Sequence, residues 1–142
     1  MPLSYVPATE EDIDVIFSMC KELIDTYEDV TQIDYEKVIS WVERKISSHI
    51  REYTCVMLGT EKVGYFRLIP GKYETELDDF YILPEYRGKG IGTKVLSRCI
   101  AQTKMPIFLY VFRKNTGSIQ LYSRMGFCVS EQVSDTRLIM RR

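Results

Sequence analysis

The chain has 142 residues, of which 45% are hydrophobic and 27% are charged, and its net charge at pH 7 is −1. This composition is typical of a soluble globular protein, and the length suits one domain, residues 1–142, rather than two. No apolar run approaches the ~18–20 residues of a membrane helix, and the first residues lack the basic and apolar regions of a signal peptide. We therefore expect a cytoplasmic protein with no membrane partner.

The spacing of apolar residues predicts helices and strands along the whole chain. In chain order it predicts a strand over 3–7, a helix after the N-cap Thr9, a helix over about 34–50, strands over 53–58, 62–69 and 74–83, a helix over about 91–103, a strand over 106–112, a helix over about 116–125, and strands over 127–133 and 136–140. The order βααβββαβαββ predicts an α/β fold with a mixed central sheet flanked by helices. We expect strand 136–140 to lie at a sheet edge, where it could pair with a second copy in a homodimer.

The cysteines and the single histidine form no metal-binding motif. Cys20, Cys55, Cys99 and Cys128 are widely spaced, and no two of them make a CxxC pair. Disulfides are rare in a reducing compartment, and a free cysteine is most often a small buried hydrophobic residue. We therefore expect four buried, unpaired cysteines and no bound metal.

The acidic and basic residues are concentrated in different parts of the chain. Between Met1 and Glu85 there are 18 acids and eight bases, whereas the stretch from Tyr86 to Ser130 has eight bases and no acid. Such a block is either a solvated basic face or a region that binds a polyanion.

A glycine-rich loop, YRGKGIG (86–92), follows a predicted strand and precedes a predicted helix. No Ser, Thr, Asp or Asn at 88–91 caps this helix, so its first N–H groups are available to a bound phosphate. The Walker phosphate loop is excluded because the glycines and Lys94 are out of register with it. The dinucleotide fingerprint is excluded because Thr93 stands where a third glycine is needed.

Two motifs together resemble those of the GNAT superfamily of acyl-CoA-dependent N-acyltransferases. The first is R-x-x-G-x-G at Arg87, Gly90 and Gly92, and the second lies in NTGSIQLYSRMGF, which contains Asn115 and Tyr122. The strand and helix order is also similar to the order of this family. The resemblance therefore covers the whole chain and implies a GNAT-like fold, N-acetyltransferase activity and acetyl-CoA as the co-substrate.

The resemblance also implies how acetyl-CoA is bound. The end of the strand predicted over 74–83, namely Phe80, Tyr81 and Ile82, would offer backbone N–H groups to the acyl-CoA. Asn115 fits both a contact to the pantetheine arm and a simple N-cap of the helix that follows it, and one asparagine can do both. The pyrophosphate would be held by the loop and the first helical turn, namely Arg87, Gly88, Lys89, Gly90, Ile91, Gly92 and Thr93.

Tyr122 matches the family's general acid, although it also fits the apolar stripe of its helix. For the general base, the run LDDFYILPEYRGKGIG is similar to spermidine/spermine acetyltransferases and implies Asp78, with Glu76 as the second choice and a water molecule as the third. Strand alternation predicts that Glu76 and Asp78 lie on one face of the sheet and Asp79 on the other.

The acids of this strand favour a cationic primary amine, on a small molecule or a peptide, as the acceptor. Two other functions remain open at this point. One is a module that binds acyl-CoA without turnover. The other is a nucleic-acid-binding domain, which is disfavoured because the RNA-recognition signature is absent and the acidic part of the chain would repel a long phosphate chain.

Overall fold

A seven-stranded sheet runs through the computed structural model, which describes residues 2–142. The strands lie in the order β1-β2-β3-β4-β5-β7-β6, and neighbouring strands are antiparallel except for the parallel pair β4 and β5. The strands are β1 (Leu3–Pro7), β2 (Tyr53–Leu58), β3 (Glu61–Pro70), β4 (Thr75–Ile82), β5 (Ile107–Phe112), β6 (Cys128–Gln132) and β7 (Arg137–Arg141).

The helices cover both faces of this sheet. They are α1 (Ile13–Tyr27), α2 (Tyr35–His49), α3 (Ile91–Gln102) and α4 (Thr116–Arg124). Short 3₁₀ turns precede α1, follow α2 and follow β4. The observed order confirms the predicted βααβββαβαββ arrangement, and the element ends lie within about two residues of the predicted ends, as expected for helix boundaries.

Local capping explains where most of the helices begin. Thr9 and Asp12 form a capping box before α1, the Asp34 side chain accepts from the Lys37 N–H at the start of α2, and Asn115 accepts from the Ser118 N–H at the start of α4. The exception is α3, whose N-cap is Gly90 with no side-chain hydrogen bond. The N–H groups at the start of α3 therefore lack a side-chain cap.

Two apolar clusters fix the helices on the sheet. Helices α1 and α2 pack on one face through side chains such as Ile16 and Ile46, which are both fully buried. Helices α3 and α4 pack on the other face, where Leu96 and Leu109 are buried. Each such side chain stabilises the fold by roughly 1.5–3 kcal/mol.

The predictions about the edge strand and about the burial of all four cysteines are wrong. The last strand, β7, lies inside the sheet between β5 and β6, so the edge strands are β1 and β6. The chain returns after β6 and inserts β7 beside β5, which strand patterning alone does not reveal. Cys20, Cys55 and Cys99 are buried as expected, but Cys128 is exposed because it begins the edge strand β6.

Candidate active site at the gap between β4 and β5

The parallel strands β4 and β5 separate soon after they meet. Their pairing joins Thr75 to Ile107 and Glu76 to Phe108, and β4 then continues to Ile82 without a partner on that side. This divergence opens a gap in the middle of the sheet.

The backbone of β4 presents donors to this gap. The N–H of Leu83 donates to the Val63 carbonyl on β3, at 2.8 Å. Because N–H direction alternates along a strand, the N–H groups of Ile82 and Phe80 point away from β3 and toward the gap. Tyr81 pairs instead with Tyr65 on β3. Of the three residues predicted to bind acyl-CoA through N–H groups, the structure brings Phe80 and Ile82 to the gap.

The glycine-rich loop lies between the end of β4 and the start of α3. Gly88 and Gly90 have φ values of +76° and +80°, which residues with a side chain adopt at a cost. A Cβ atom at either position would meet no heavy atom within 4 Å, so the space beside these two glycines is open. Arg87 Nε donates to the Ile82 carbonyl at 2.8 Å and ties the loop to β4.

The other predicted loop residues are divided between solvent and core. Lys89 is exposed, and its ammonium lies 5.7 Å from the centre of the Tyr86 ring, while Thr93 is exposed in the first turn of α3. Ile91 is buried in the apolar cluster under α3. A Cβ atom at Gly92 would lie 3.3 Å from Leu121 Cδ2, so α3 packs closely against α4.

Tyr122 lies on α4, on the same face of the sheet as α3. Its residue is 7% exposed, and its ring centre lies 6.3 Å from that of Phe80 and 5.8 Å from that of Phe127. The Tyr122 hydroxyl makes no hydrogen bond within residues 2–142, and it is not fully shielded from solvent. Burial raises the pKa of Tyr122, so the phenol stays protonated at neutral pH.

Asp78 and Glu76 lie on the opposite face of β4, under α1 and α2. Asp78 is bound by Lys45 Nζ at 3.2 Å and by Arg67 Nη1 at 3.5 Å. Burial and then the charge of Asp79 raise the pKa of Asp78, while Lys45 and Arg67 oppose the rise. Burial and the charge of Asp78 likewise raise the pKa of Glu76. Both carboxyls therefore hold a proton more readily than an exposed carboxyl does.

The predicted placement of Asp79 on the other face is wrong. Tyr65 pairs with Tyr81 and Arg67 pairs with Asp78, so β4 has one more residue than β3 between these two pairs. The extra residue makes a β-bulge at Asp79, whose φ is +48°. A bulge interrupts the two-residue alternation, so the Asp78 and Asp79 side chains both reach Lys45.

The Asp79 carboxylate is surrounded by donors. The hydroxyl groups of Tyr53 and Tyr81 donate to it at 2.5 and 2.9 Å, the Cys20 thiol donates at 3.3 Å, and Lys45 Nζ lies 2.9 Å away. Burial acts to raise the pKa of Asp79, but the charge of Lys45 and the hydrogen bond from Tyr53 outweigh burial and lower it. The Asp79 carboxylate is therefore buried and ionised, and both of its oxygen atoms accept hydrogen bonds.

The side chains around Asp78 and Asp79 form a polar cluster. Four of its members were not predicted from the sequence as site residues: Lys45, Arg67, Tyr53 and Cys20. Lys45 lies between the buried Val42 and Ile46 on α2, and Arg67 lies within the apolar run of β3. For Lys45 and Arg67, a cationic residue at a position where the pattern predicts an apolar one could have indicated a buried ion pair. Tyr53 and Cys20 carried no such signal, because both residue types are often buried without a polar role.

Neither a metal site nor a membrane-spanning helix is found in the part of the chain that the structure describes. Among residues 2–142 no group of three or more His, Cys, Asp or Glu side chains is arranged to hold a metal ion. None of the helices in that part of the chain combines the length and apolar character required to cross a membrane.

Comparisons with known proteins agree with this architecture. The L-amino acid N-acyltransferase MnaT of Escherichia coli is 28% identical over 109 residues, which are 71% of this chain and 63% of that protein. The chain thus spans a little under two thirds of this relative's length. The spermine/spermidine N(1)-acetyltransferase of Bacillus subtilis is 39% identical over 56 residues, 36% of this chain and 37% of that protein.

The fold has a solved counterpart over its whole length. The crystal structure of PaiA N-acetyltransferase from Thermoplasma acidophilum in complex with coenzyme A has a TM-score of 0.76 at 21% identity, covering 100% of this chain and 99% of that chain. This confirms the predicted α/β fold. Residues 16–127 match the model of the acetyltransferase (GNAT) family. The chain therefore belongs to the acetyltransferase (GNAT) family.

Proposed function

We propose that this protein is an N-acetyltransferase that moves the acetyl group of acetyl-CoA to a primary amine by direct attack. The observation that carries the proposal is the β4–β5 gap, which the backbone of Phe80 and Ile82 faces and which adjoins the uncapped N-terminus of α3. Membership of the acetyltransferase (GNAT) family supports the same reaction.

The loop before α3 fits the pyrophosphate of coenzyme A. A helix N-terminus offers free N–H groups and a partial positive charge, and both favour a phosphate. Gly88 and Gly90 turn the chain with positive φ values, and the space beside both glycines is open. Lys89 and Lys94 are exposed and add positive charge. The observed loop therefore supports the predicted role of residues 87–93.

The β4 backbone fits the thioester end of the donor. A carbonyl oxygen gains negative charge when an amine attacks it, and N–H groups held toward that oxygen stabilise the charge. Phe80 and Ile82 are the residues whose N–H groups face the gap. Since the amine attacks the thioester directly, the reaction requires no covalent intermediate on the protein, only two reactants held in contact.

In this reaction the amine nitrogen loses two protons, one before it attacks and one as the amide forms, and the sulfur gains one. Side chains on the two faces of the sheet suit these transfers. Asp78, with Glu76 or a water molecule as alternatives, would accept the proton of the attacking ammonium. As the carbon–sulfur bond breaks, the departing thiolate takes a proton that the Tyr122 hydroxyl would supply. The raised pKa of Tyr122 keeps that proton in place until then. The Tyr122 phenolate would then be reprotonated by the second proton that the nitrogen loses as the amide forms.

The acceptor is a primary amine, and the charges on β4 favour a cationic one. Glu76 and Asp78 lie on the face of β4 that is covered by α2. The exposed Trp41, on α2, lies beside Lys45 with 5.5 Å between the Lys45 ammonium and the ring centre. The named relatives act on L-amino acids in one case and on spermine and spermidine in the other. The acceptors named for these relatives all carry an amine and differ in the rest of the molecule.

Calorimetric titration with acetyl-CoA tests the donor site. Wild type should bind with micromolar affinity, and Gly90→Glu should lose binding because its carboxylate would repel the pyrophosphate. Gly59→Glu is the matched control, since Gly59 also has a positive φ, of +63°, and open space at its Cβ position, but lies in the β2–β3 turn. Failure of wild type to bind would overturn the proposal. If acetyl-CoA binds but no amine in a screen causes free coenzyme A to be released from it, a non-catalytic module would be favoured.

A further inference from the structure

Asp79 has an unusual backbone conformation for a residue with a side chain. Among residues 2–142 it is the one non-glycine residue with a positive φ, +48°. The left-handed region is sterically unfavourable for residues with a Cβ atom, and aspartate and asparagine tolerate it better than most. Such a residue persists only where its surroundings hold it.

The surroundings of Asp79 come from four elements. Tyr53 is on β2, Cys20 on α1, Lys45 on α2 and Tyr81 on β4, and all four donate to the same carboxylate. The Asp79 side chain is 7% exposed, and the Lys45 side chain is 15% exposed. The bulge is therefore anchored to both helices on this face and to a strand that is not its neighbour in the sheet.

The bulge decides which groups of β4 face the gap. One extra residue reverses the alternation of every residue that follows it. After the bulge, the Phe80 side chain packs on the α3 and α4 face, with its ring 6.3 Å from Tyr122, and its N–H points toward the gap. Without the bulge, the same residue would direct its side chain toward α1 and α2 and its N–H toward β3.

We propose that Asp79 is a positioning residue, whose bonds to Tyr53, Tyr81, Cys20 and Lys45 hold the β4 bulge and so aim the N–H groups of Phe80 and Ile82 at the acyl donor. The use of those N–H groups rests on the proposed acetyltransferase function. Asp79 itself does not touch the substrate and accepts no proton, because its oxygen atoms are already occupied by donors.

The test compares Asp79→Asn with Asp79→Gly. Asparagine tolerates the backbone conformation and keeps an oxygen acceptor, whereas glycine allows the conformation but removes the anchor. Acetyl-CoA should bind Asp79→Asn within about threefold of wild type and Asp79→Gly at least about tenfold more weakly, since small misplacements of binding groups cost affinity steeply. Amide hydrogen exchange at residues 80–82 should be faster in Asp79→Gly and close to wild type in Asp79→Asn.

Two further variants separate positioning from stability. Ile16→Val removes a buried methyl group on α1 outside the polar cluster and should change neither acetyl-CoA affinity nor exchange at 80–82. Tyr53→Phe removes one donor to Asp79, should bind acetyl-CoA about threefold more weakly, and replaces the glycine variant if the latter does not fold.

The outcomes distinguish this inference from the function on which it rests. Wild-type affinity and unchanged exchange at 80–82 in folded Asp79→Gly, or in Tyr53→Phe if glycine is not tolerated, would overturn the positioning role and leave the donor site intact. If wild type itself does not bind acetyl-CoA, the proposed function fails, and the exchange measurement alone then decides whether Asp79 holds the bulge.

Discussion

Lys45 Nζ lies 2.9 Å from Asp79 Oδ2, so that α2 is joined to the bulge of β4 by an ion pair in the interior. The same ammonium lies 3.2 Å from Asp78. Burial acts to lower the pKa of Lys45, but the charges of Asp79 and Asp78 outweigh burial and raise it. Lys45 is therefore charged at neutral pH and balances two neighbouring carboxylates.

Lys45→Met should strongly destabilise the protein. Removing one partner of a buried ion pair leaves an uncompensated charge, so we expect the free energy of unfolding to fall by about 3 kcal/mol. Urea denaturation measures this. The control is Lys21→Met, which breaks an exposed pair with Asp25 and should change the free energy of unfolding little, since solvent screens exposed ion pairs. Equal effects of the two variants on the free energy of unfolding would contradict the conclusion that Lys45 balances the buried carboxylates.

Tyr122→Phe should lower kcat by about a hundredfold and leave the Kd for acetyl-CoA unchanged, because the hydroxyl is the proposed general acid while the ring keeps its packing. Tyr73→Phe is the control, since Tyr73 is 76% exposed and lies before β4, at the end away from the gap. Steady-state kinetics and calorimetry give the two quantities. A kcat close to wild type in Tyr122→Phe would show that the proton comes from elsewhere.

Asp78→Asn should remove the acidic limb of the pH profile of kcat and lower kcat by about a hundredfold at neutral pH. A base must be ionised, and the raised pKa of Asp78 means that ionisation is lost, as pH falls, at a higher pH than its usual 3.8. The profile is measured with both substrates saturating, so that it reports groups in the bound complex. Glu76→Gln should keep the limb. The opposite result would assign the base to Glu76, and a limb retained in both would assign it to water.

Asp12→Asn should flatten the dependence of stability on pH in the acid range. Burial acts to raise the pKa of Asp12, but hydrogen bonds from Lys62, the Thr9 N–H and Tyr65 outweigh burial and lower it. A carboxyl with a lowered folded-state pKa contributes stability above its unfolded value of about 3.8, and that stability disappears as pH falls through the folded value.

The Asp12 prediction is checked by urea unfolding between about pH 2 and pH 7. At pH 7 we expect Asp12→Asn to cost about 2 kcal/mol, since buried charged hydrogen bonds are lost. Asp14→Asn, at an exposed position two residues further on, should unfold like wild type. A wild-type pH slope that persists in Asp12→Asn would show that other carboxyls cause the acid sensitivity.

The local features of this protein were predictable from its sequence. Helix and strand positions follow from apolar periodicity and from caps such as Thr9 and Asn115, which act over three or four residues. The loop was predictable from Gly88 and Gly90, because glycine adopts most easily the positive φ values that both residues have in the structure. The resemblance to the GNAT superfamily depended on motifs of the same short range, and the family match confirms it.

The tertiary structure decided what depends on residues far apart in the chain. Whether β7 lies inside the sheet depends on how the chain returns after β6, and no local pattern shows that. Lys45 is 33 residues from Asp78, and Tyr53 is 26 residues from Asp79, so their contacts exist only once α2, β2 and β4 are packed together. The bulge at Asp79 belongs to the same class. Two-residue alternation is a property of one strand, whereas a bulge is a mismatch between two strands and needs distant partners to hold it.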